Sequence, residues 1–376
     1  MAAPLDVCIR GAGIVGRTLA LLLARERLRV GLVAAPPPAG AHADVRAYAL
    51  NAASRDLLQQ LRAWPEAPQV TAVQAMRVHG DEGGHVHFDA SRERVEALAW
   101  IVEVQPLIER LAEAVRYQPQ IELLAEPRPC ALTVVCEGRH SATRDEFGVN
   151  FQVVSYPQRA IAARLACEQP HGGTAWQWFD DGHVLALLPL GGPQGRAMAL
   201  VWSVPEARAD ELLALPEPEF QSRLQAACGD ALGAMTLTSE RLAWPLQRAQ
   251  ADRWCGPGWV LAGDAAHNVH PLAGQGLNLG LADAQALAAV LHAREYWRSL
   301  GDARLLRRYE RSRKMDVLAM SWTTDGLQQL FSQPAEPWSW VRNWGMRGFD
   351  RSGPLKHWVV RQAMGRARDL LRTGKT

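Results

Sequence analysis

The sequence predicts an α/β fold in which a discontinuous α/β domain is interrupted by an inserted antiparallel β-sheet domain and followed by a C-terminal helical segment. Residues 7–33 contain a strand, a glycine turn, a helix and a second strand in succession, which is the order of a βαβ unit. Short apolar runs separated by turn clusters fill residues 152–248 and indicate antiparallel strands. A strand at residues 259–262 and a helix at residues 277–291 then restore the α/β pattern.

The glycine turn carries the pattern Gly11-Ala12-Gly13-Ile14-Val15-Gly16 between a strand and a helix. Gly11 allows a tight turn, and Gly13 lets a pyrophosphate approach the free N–H groups of the helix N-terminus. This context favours dinucleotide binding by a Rossmann-like domain, with an ordinary glycine-rich turn as the alternative. The acidic residue expected about 20 residues further on is missing, because positions 34 and 35 are alanines and the nearest carboxylate is Asp44.

The remaining elements extend the same order. Residues 46–61 show helical spacing after their first turn, residues 108–115 repeat that spacing, and residues 132–135 predict a buried strand. A helical piece near residues 208–227 interrupts the antiparallel segment. The predicted domains are 1–75, 96–150 and 250–330 for the α/β domain, 76–95 and 151–249 for the β-sheet domain, and 331–376 for the C-terminal helical segment.

The composition is that of an ordinary soluble globular protein. The 41 Lys and Arg against 39 Asp and Glu leave a net charge of +2, which argues against nucleic-acid binding by bulk electrostatics. No apolar run approaches the roughly 20 residues of a membrane-spanning helix, and charged residues interrupt the apolar N-terminus, unlike a signal peptide. The six scattered cysteines include no Cys-x-x-Cys pair and indicate buried thiols of a reducing compartment, so we expect a cytoplasmic location.

A second motif covers residues 263–278, with the sequence GDAAHNVHPLAGQGLN. Asp264 follows a buried strand, where a carboxylate can accept hydrogen bonds from ligand hydroxyls. The loop at residues 271–276 has little side-chain bulk and leads to the N-terminus of the 277–291 helix. The positive end of that helix can stabilise an anionic ring. A reduced isoalloxazine is such a ring, so the motif fits FAD.

His267 and His270 leave two interpretations open. Their His-x-x-His spacing would suit zinc, but no other Cys or His cluster completes a metal site. Packing within the loop is therefore favoured, and no metal is predicted. Nucleophilic catalysis of the Ser-His-Asp type is disfavoured because the sequence has no G-x-S-x-G elbow.

These two motifs and several shorter segments resemble one family over nearly the whole chain. The shorter segments are residues 46–51, 97–103, 171–176 and 306–311. Glu137-Gly138 stands where the family has an Asp-Gly motif that serves both FAD and NAD(P)H. The family is that of the ubiquinone-biosynthesis FAD-dependent hydroxylases, within the class A flavoprotein aromatic monooxygenases. The resemblance implies a Rossmann-like FAD-binding domain, a β-sheet substrate domain and a C-terminal helical segment.

The resemblance also implies the site residues. For cofactor binding these are Gly11, Gly13, Gly16, Arg46, Glu137, Gly263, Asp264, Gly276, Leu277 and Asn278. For the reaction centre they are His270, Pro271, Gly274 and Gly276. Asp264 would bind the ribityl chain, and Arg46 the pyrophosphate or the ring edge. Two roles stay open for His270, which are tuning a phenolic substrate and packing in the loop.

The reaction that the resemblance implies has two stages. NAD(P)H, as co-substrate, reduces the flavin, and O2 then adds to give a flavin hydroperoxide that hydroxylates an electron-rich aromatic ring. The flavin supplies this chemistry, and the protein supplies position and dryness. The expected substrate is a small aromatic molecule, a polyprenyl-phenol of ubiquinone biosynthesis. No second Rossmann motif is present for NAD(P)H, in agreement with the family.

Two other functions remain open. A related hydroxylase could act on a soluble phenol without an isoprenoid chain. A degenerate, non-catalytic assembly subunit would account for three departures from the family, namely the missing acidic residue after the second strand, Glu137 in place of Asp, and the short connection between residues 121 and 132. Flavin absorbance of the purified protein separates the two enzymes from the subunit.

The C-terminal segment is basic and rich in tryptophan. Residues 338–376 hold nine Lys or Arg against two Asp. Basic residues interleaved with Trp are typical of membrane-surface segments, which would suit a polyprenylated substrate and peripheral contact with the inner membrane or with a biosynthetic complex. A helical cap with buried tryptophans and solvated arginines is the alternative.

Overall fold

The computed structural model describes residues 4–34, 44–80, 84–180, 183–268 and 276–332, with side chains described to residue 318. Within these ranges the strands are β1 (Leu5–Arg10), β2 (Val30–Val33), β3 (Ala47–Leu50), β4 (Val70–Val73), β5 (Ala75–His79), β6 (His85–Asp89), β7 (Ala99–Glu103), β8 (Ile121–Leu124), β9 (Cys130–Val135), β10 (Phe151–Cys167), β11 (Thr174–Asp180), β12 (His183–Pro189), β13 (Ala197–Pro205), β14 (Met235–Leu237), β15 (Leu242–Ala251), β16 (Cys255–Gly256), β17 (Trp259–Leu261) and β18 (His267–Asn268). The α-helices are α1 (Ile14–Arg25), α2 (Ala52–Gln60), α3 (Val104–Arg116), α4 (Ala142–Glu146), α5 (Glu206–Ala214), α6 (Glu217–Cys228), α7 (Gly276–His292) and α8 (Ala303–Ser332).

A largely parallel sheet forms one layer and confirms the predicted βαβ unit. Its strand order is β16-β17-β9-β1-β2-β8. β1 pairs in parallel with both β2 and β9, and β16 runs antiparallel to β17. Val7 and Ile9 of β1 are fully buried, as expected where elements cover both faces of a parallel sheet. α1 connects β1 to β2 and packs against α3 and α7. The two helices that begin at the glycine motifs are therefore neighbours.

A large sheet follows the order β18-β15-β10-β13-β12-β11-β5-β6, with β14 paired to β10. Its central pairs are antiparallel, which confirms the prediction for residues 152–248, whereas β11 and β5 pair in parallel. The helical piece predicted near residues 208–227 is two helices, α5 and α6. Leu215 is extended and precedes Pro216, and a residue before proline disfavours the helical conformation.

Residues 47–50 are a strand, so the helix predicted over residues 46–61 is wrong in its first part. β3 pairs antiparallel with β7, where Leu50 lies opposite Trp100, and β4 completes this three-stranded sheet. α2 begins at Ala52, and the Asn51 side chain caps it by accepting a hydrogen bond from the Ser54 N–H. Pairing with a strand that is distant in sequence therefore overrides the local spacing.

The cysteines have the state that the sequence predicts. All six cysteines are free and five of them are buried, while Cys130 is half-buried, which confirms the expectation of buried thiols. None of the described helices combines the length and the apolar character needed to cross a bilayer.

Gly11→Ala is expected to destabilise the protein by about 3 kcal/mol. Gly11 has a φ of +109°, and a Cβ at this position would overlap the carbonyl group of Cys136. Gly258→Ala is the matched control, because Gly258 has a φ of +77° but no atom within 4 Å of the Cβ position. The control carries only the cost of a positive φ, about 1–2 kcal/mol. Urea unfolding of both variants measures the difference, and equal losses would contradict the steric argument.

Candidate functional site

The turn after β1 is open on the side that a phosphate would approach. Gly13 is exposed and caps α1, and within the part of the chain that the structure describes a Cβ there would meet no atom within 4 Å. Gly16 is buried. A side chain at this position would collide with the carbonyl group of Gly11. The first turn of α1 has no acidic residue, so nothing in it opposes the positive helix end. This geometry fits a pyrophosphate on the N–H groups of α1.

Glu137 follows β9 and turns toward the start of α4. Its carboxylate accepts hydrogen bonds from Ser141 Oγ at 2.7 Å, from Thr143 Oγ1 at 2.6 Å and from the Thr143 N–H at 3.2 Å. Arg10 Nη1 donates to Thr143 Oγ1 at 2.8 Å, which links this cluster to the residue before Gly11. Both Glu137 oxygens thus have partners within the protein, and the cofactor role of Glu137 stays a prediction.

Asp264 lies in a one-turn 3₁₀ helix, Gly263–Ala265, that follows β17. Its side chain is exposed, and among the described residues no hydrogen bond reaches its carboxylate. Burial within the surrounding protein raises the pKa of Asp264, and the nearby His267 and Arg46 partly offset this rise. An acceptor that is open to solvent yet enclosed by protein on its other sides is suited to ligand hydroxyls.

Two glycines bring this turn against α1. A Cβ at Gly263, which has a φ of +64°, would lie 3.3 Å from Val15 Cγ2. A Cβ at Gly280 in α7 would lie 2.7 Å from the same atom. Val15 is in the first turn of α1, so the two sequence motifs meet at this contact.

α7 begins at Gly276 as the second motif predicts. Among the described residues, no atom would lie within 4 Å of a Cβ at Gly276, and Leu277 packs against the core of the parallel sheet. Residues 269–275, with the predicted reaction-centre residues His270, Pro271 and Gly274, lie outside the described residues.

Asn278 ties α7 to the junction of β3 and α2. Its Oδ1 accepts from the Asn51 N–H at 3.0 Å and from Ser54 Oγ at 2.7 Å, and its Nδ2 donates to the Ala49 carbonyl at 2.9 Å. The side chain is buried, with 5% exposure. The structure thus gives Asn278 contacts within the protein, and direct cofactor binding by its side chain stays a prediction.

Arg46 is held by Asp44. Arg46 Nε donates to Asp44 Oδ1 at 2.8 Å and Nη2 to Asp44 Oδ2 at 2.6 Å. Burial opposes ionisation of Asp44, but these bonds hold the pKa of its carboxyl below the ordinary value. The Arg46 guanidinium lies 5.9 Å from the ring centroid of Trp244 on β15. Asp44 therefore folds back onto Arg46, and Arg46 lies between the parallel-sheet side of the site and the large sheet.

Asp283 and Arg313 form a buried ion pair that was not predicted. Arg313 Nε donates to Asp283 Oδ1 at 2.7 Å, and Asp283 Oδ2 lies 2.7 Å from His267 Nε2. His267 also stacks on Trp254 with 4.9 Å between ring centroids. These contacts support the packing interpretation of His267, and no group of three potential metal ligands occurs among the described residues. The sequence signal was present in Asp283, a carboxylate within a helix of mostly Leu and Ala.

Comparison with known proteins shows the family to which the chain belongs. Residues 127–321 match the family described as FAD binding domain. The chain is 32% identical over 396 residues to the 3-demethoxyubiquinol 3-hydroxylase of Escherichia coli (strain K12), covering 96% of this chain and 99% of that protein. It is 31% identical over 389 residues to the ubiquinone hydroxylase UbiL of Rhodospirillum rubrum, covering 96% of this chain and 89% of that protein.

The solved structures support the fold. The crystal structure of PqsL from Pseudomonas aeruginosa superposes with a TM-score of 0.76 at 23% identity, covering 91% of this chain and 100% of that chain. The p-nitrophenol 4-monooxygenase PnpA from Pseudomonas putida superposes with a TM-score of 0.77 at 17% identity, covering 98% of this chain and 100% of that chain.

The fold and the family match define the class of protein as an FAD-binding flavoprotein monooxygenase. Within this class, the chain belongs to the family of FAD-dependent hydroxylases of ubiquinone biosynthesis.

Asn278→Ala is expected to lower the free energy of unfolding by about 2–3 kcal/mol. It removes the Asn278 partner of the buried Ser54 hydroxyl and of the partly buried Asn51 N–H and Ala49 carbonyl. Gln225→Ala is the control, because its amide bonds near Gly229 are exposed and compete with water. Chemical denaturation measures the free energy of unfolding of both variants. If Asn278→Ala lowers it no more than the control does, the hydrogen bonds of Asn278 do not stabilise the protein as argued.

Proposed function

We propose that this chain hydroxylates the aromatic ring of a polyprenyl-phenol in ubiquinone biosynthesis, with FAD as cofactor and NAD(P)H and O2 as co-substrates. Family membership supports the monooxygenase chemistry, and the names of the E. coli and R. rubrum relatives support the substrate class. The observation that carries the proposal is the combination of two helix starts that no described residue blocks, at Gly13 and Gly276, with the exposed carboxylate of Asp264. These features fit the phosphates, the ring and the ribityl hydroxyls of FAD.

The residues of this chain bind and orient the cofactor. Bound FAD would supply the electron transfer and the oxygen chemistry. The N–H groups that follow Gly13 would hold the pyrophosphate, and Asp264 would accept hydrogen bonds from the ribityl chain. The positive end of α7, which begins at Gly276, would stabilise negative charge on the ring. Arg46 is paired with Asp44, and the two helix ends would add positive potential of their own in this part of the protein.

The large sheet would hold the substrate beside the ring. Trp244 of β15 lies next to Arg46. Arg164 of β10 donates to the Arg46 carbonyl at 3.2 Å and lies 3.3 Å from Glu103. These contacts tie the sheet to Arg46, just before β3, so an aromatic ring between them would have a fixed distance to the flavin. Loop residues 270–274 would complete the reaction centre and exclude water, which favours oxygen transfer over side reactions.

We further propose that the protein makes peripheral contact with a membrane or a biosynthetic complex from the cytoplasmic side, through residues 331–376. The support is the basic, Trp-rich sequence of 338–376, which lies outside the described residues. Co-sedimentation with vesicles of anionic and of neutral lipids tests this. We expect binding to anionic vesicles that weakens as salt is raised, and an absence of binding at low salt would contradict membrane contact.

The function is tested with FAD-loaded protein, NADH or NADPH, and a phenol with and without its isoprenoid chain. We expect NAD(P)H oxidation to increase with the prenylated phenol and one atom from 18O2 to enter the ring, as measured by mass spectrometry. Equal hydroxylation of the phenol without the chain would favour a hydroxylase of soluble phenols. A protein that remains colourless after FAD is added would contradict the enzyme and favour the assembly subunit.

A further inference from the structure

We propose that Asp283 is a positioning residue that fixes the Gly263–Ala265 turn and thereby aims Asp264 at the cofactor. This inference rests on the proposed role of Asp264 in FAD binding. Asp283 itself has no exposed surface and lies within α7, so it acts through the turn and not by touching the ligand.

The contacts of Asp283 connect three parts of the chain. Its Oδ2 accepts a hydrogen bond from the Gly263 N–H at 2.9 Å, and the same oxygen lies 2.7 Å from His267 Nε2. Its Oδ1 accepts from Arg313 Nε on α8 at 2.7 Å. One carboxylate therefore binds the first residue of the turn, a residue of β18 just after the turn, and a neighbouring helix.

The turn needs such an anchor because it begins with a glycine. Gly263 has a φ of +64°, and a glycine can also reach other backbone conformations at little steric cost. A change at Gly263 would swing the exposed side chain of Asp264, which no hydrogen bond from the described residues restrains. The bond from the Gly263 N–H to Asp283 selects one conformation, and the contact of Gly263 with Val15 sets its distance from α1.

Arg313 keeps the anchor in place and ionised. Burial opposes the charge on Asp283, but His267 and Arg313 hold the pKa of its carboxyl below the ordinary value. Arg313 is almost fully buried, and its Nη2 also donates to the Leu279 carbonyl in α7 at 3.3 Å. The ionised carboxylate offers two oxygens, so one can serve Arg313 while the other serves Gly263 and His267.

Because each oxygen of Asp283 has its own partners, two variants can test the role of the Gly263 bond. In Asp283→Asn, the single remaining oxygen faces the charged Arg313, and an NH2 group faces the Gly263 N–H, so the turn loses its anchor. In the double variant D283N/R313Q the guanidinium no longer competes for the oxygen, which can again face Gly263 and His267. Glu310→Gln is the control for an altered α8 contact, since Glu310 accepts from the Trp254 N–H and pairs with Lys314 without touching the turn.

The readout is the dissociation constant for FAD, measured by titration at constant pH, in a double-mutant cycle with Asp264→Asn. We expect D264N and D283N each to raise the dissociation constant about tenfold, and D264N to add less than about twofold once D283N is present. D283N/R313Q should recover most of the affinity, and E310Q should bind FAD like the unaltered protein. Urea midpoints identify any variant that is only partly folded.

The outcomes separate the two proposals. If D264N costs as much in the D283N background as in the unaltered protein, or if D283N/R313Q binds FAD as weakly as D283N, Asp283 does not act through the turn. If D264N leaves the affinity of the unaltered protein unchanged, the assigned role of Asp264 fails and the inference fails with it. If D283N does not fold, the cycle is run with D283L/R313M, which replaces the buried charges by apolar groups and must meet the same criterion of non-additivity.

Discussion

The close packing of α1 against α7 is the constraint on which the site depends. Val15 fills the space that side chains at Gly263 and Gly280 would occupy. Gly280 lies inside a helix, where glycine costs about 1 kcal/mol relative to alanine, so its presence there follows from this contact. Without the contact the glycine turn of the first motif and the helix start of the second would lie further apart. FAD is a long molecule, and the sites proposed for its pyrophosphate and for its ring would then no longer be held at a fixed distance from each other.

A buried ion pair between α7 and α8 also stabilises the region around the Gly263–Ala265 turn. The Asp283–Arg313 pair would be costly to bury without further hydrogen bonds, and removal of one partner from such a pair typically costs 3–5 kcal/mol. Here the further bonds come from the Gly263 N–H and from His267. Stability of the fold and placement of the turn therefore depend on the same buried carboxylate.

The parts of the fold that depend on local backbone could be predicted, and those that depend on distant pairing could not. Gly11 and the helix start at Gly276 follow from glycine spacing next to apolar periodicity, and the structure has both elements. Residues 47–50 are a strand because they pair with β7, which no local pattern indicates. Asp283 was visible as a charge among Leu and Ala, but its partner Arg313 lies on another helix, and only the folded chain brings the two together.

The alanine after β2 would change the balance of charge along a dinucleotide bound as proposed. An acidic residue there would bind ribose hydroxyls but would also place negative charge near two phosphates. Here Ala34 takes that position, and the nearest carboxylate, Asp44, is neutralised by Arg46. In the proposed binding mode, the positive end of α1 would attract the phosphates without an opposing acid, while the adenosine end would lack one set of hydrogen bonds. If Gly13 and Asp264 hold FAD as proposed, more of the affinity would then come from the phosphates and the ribityl chain, which makes a rigid turn before Asp264 more important than it would be with an acid after β2.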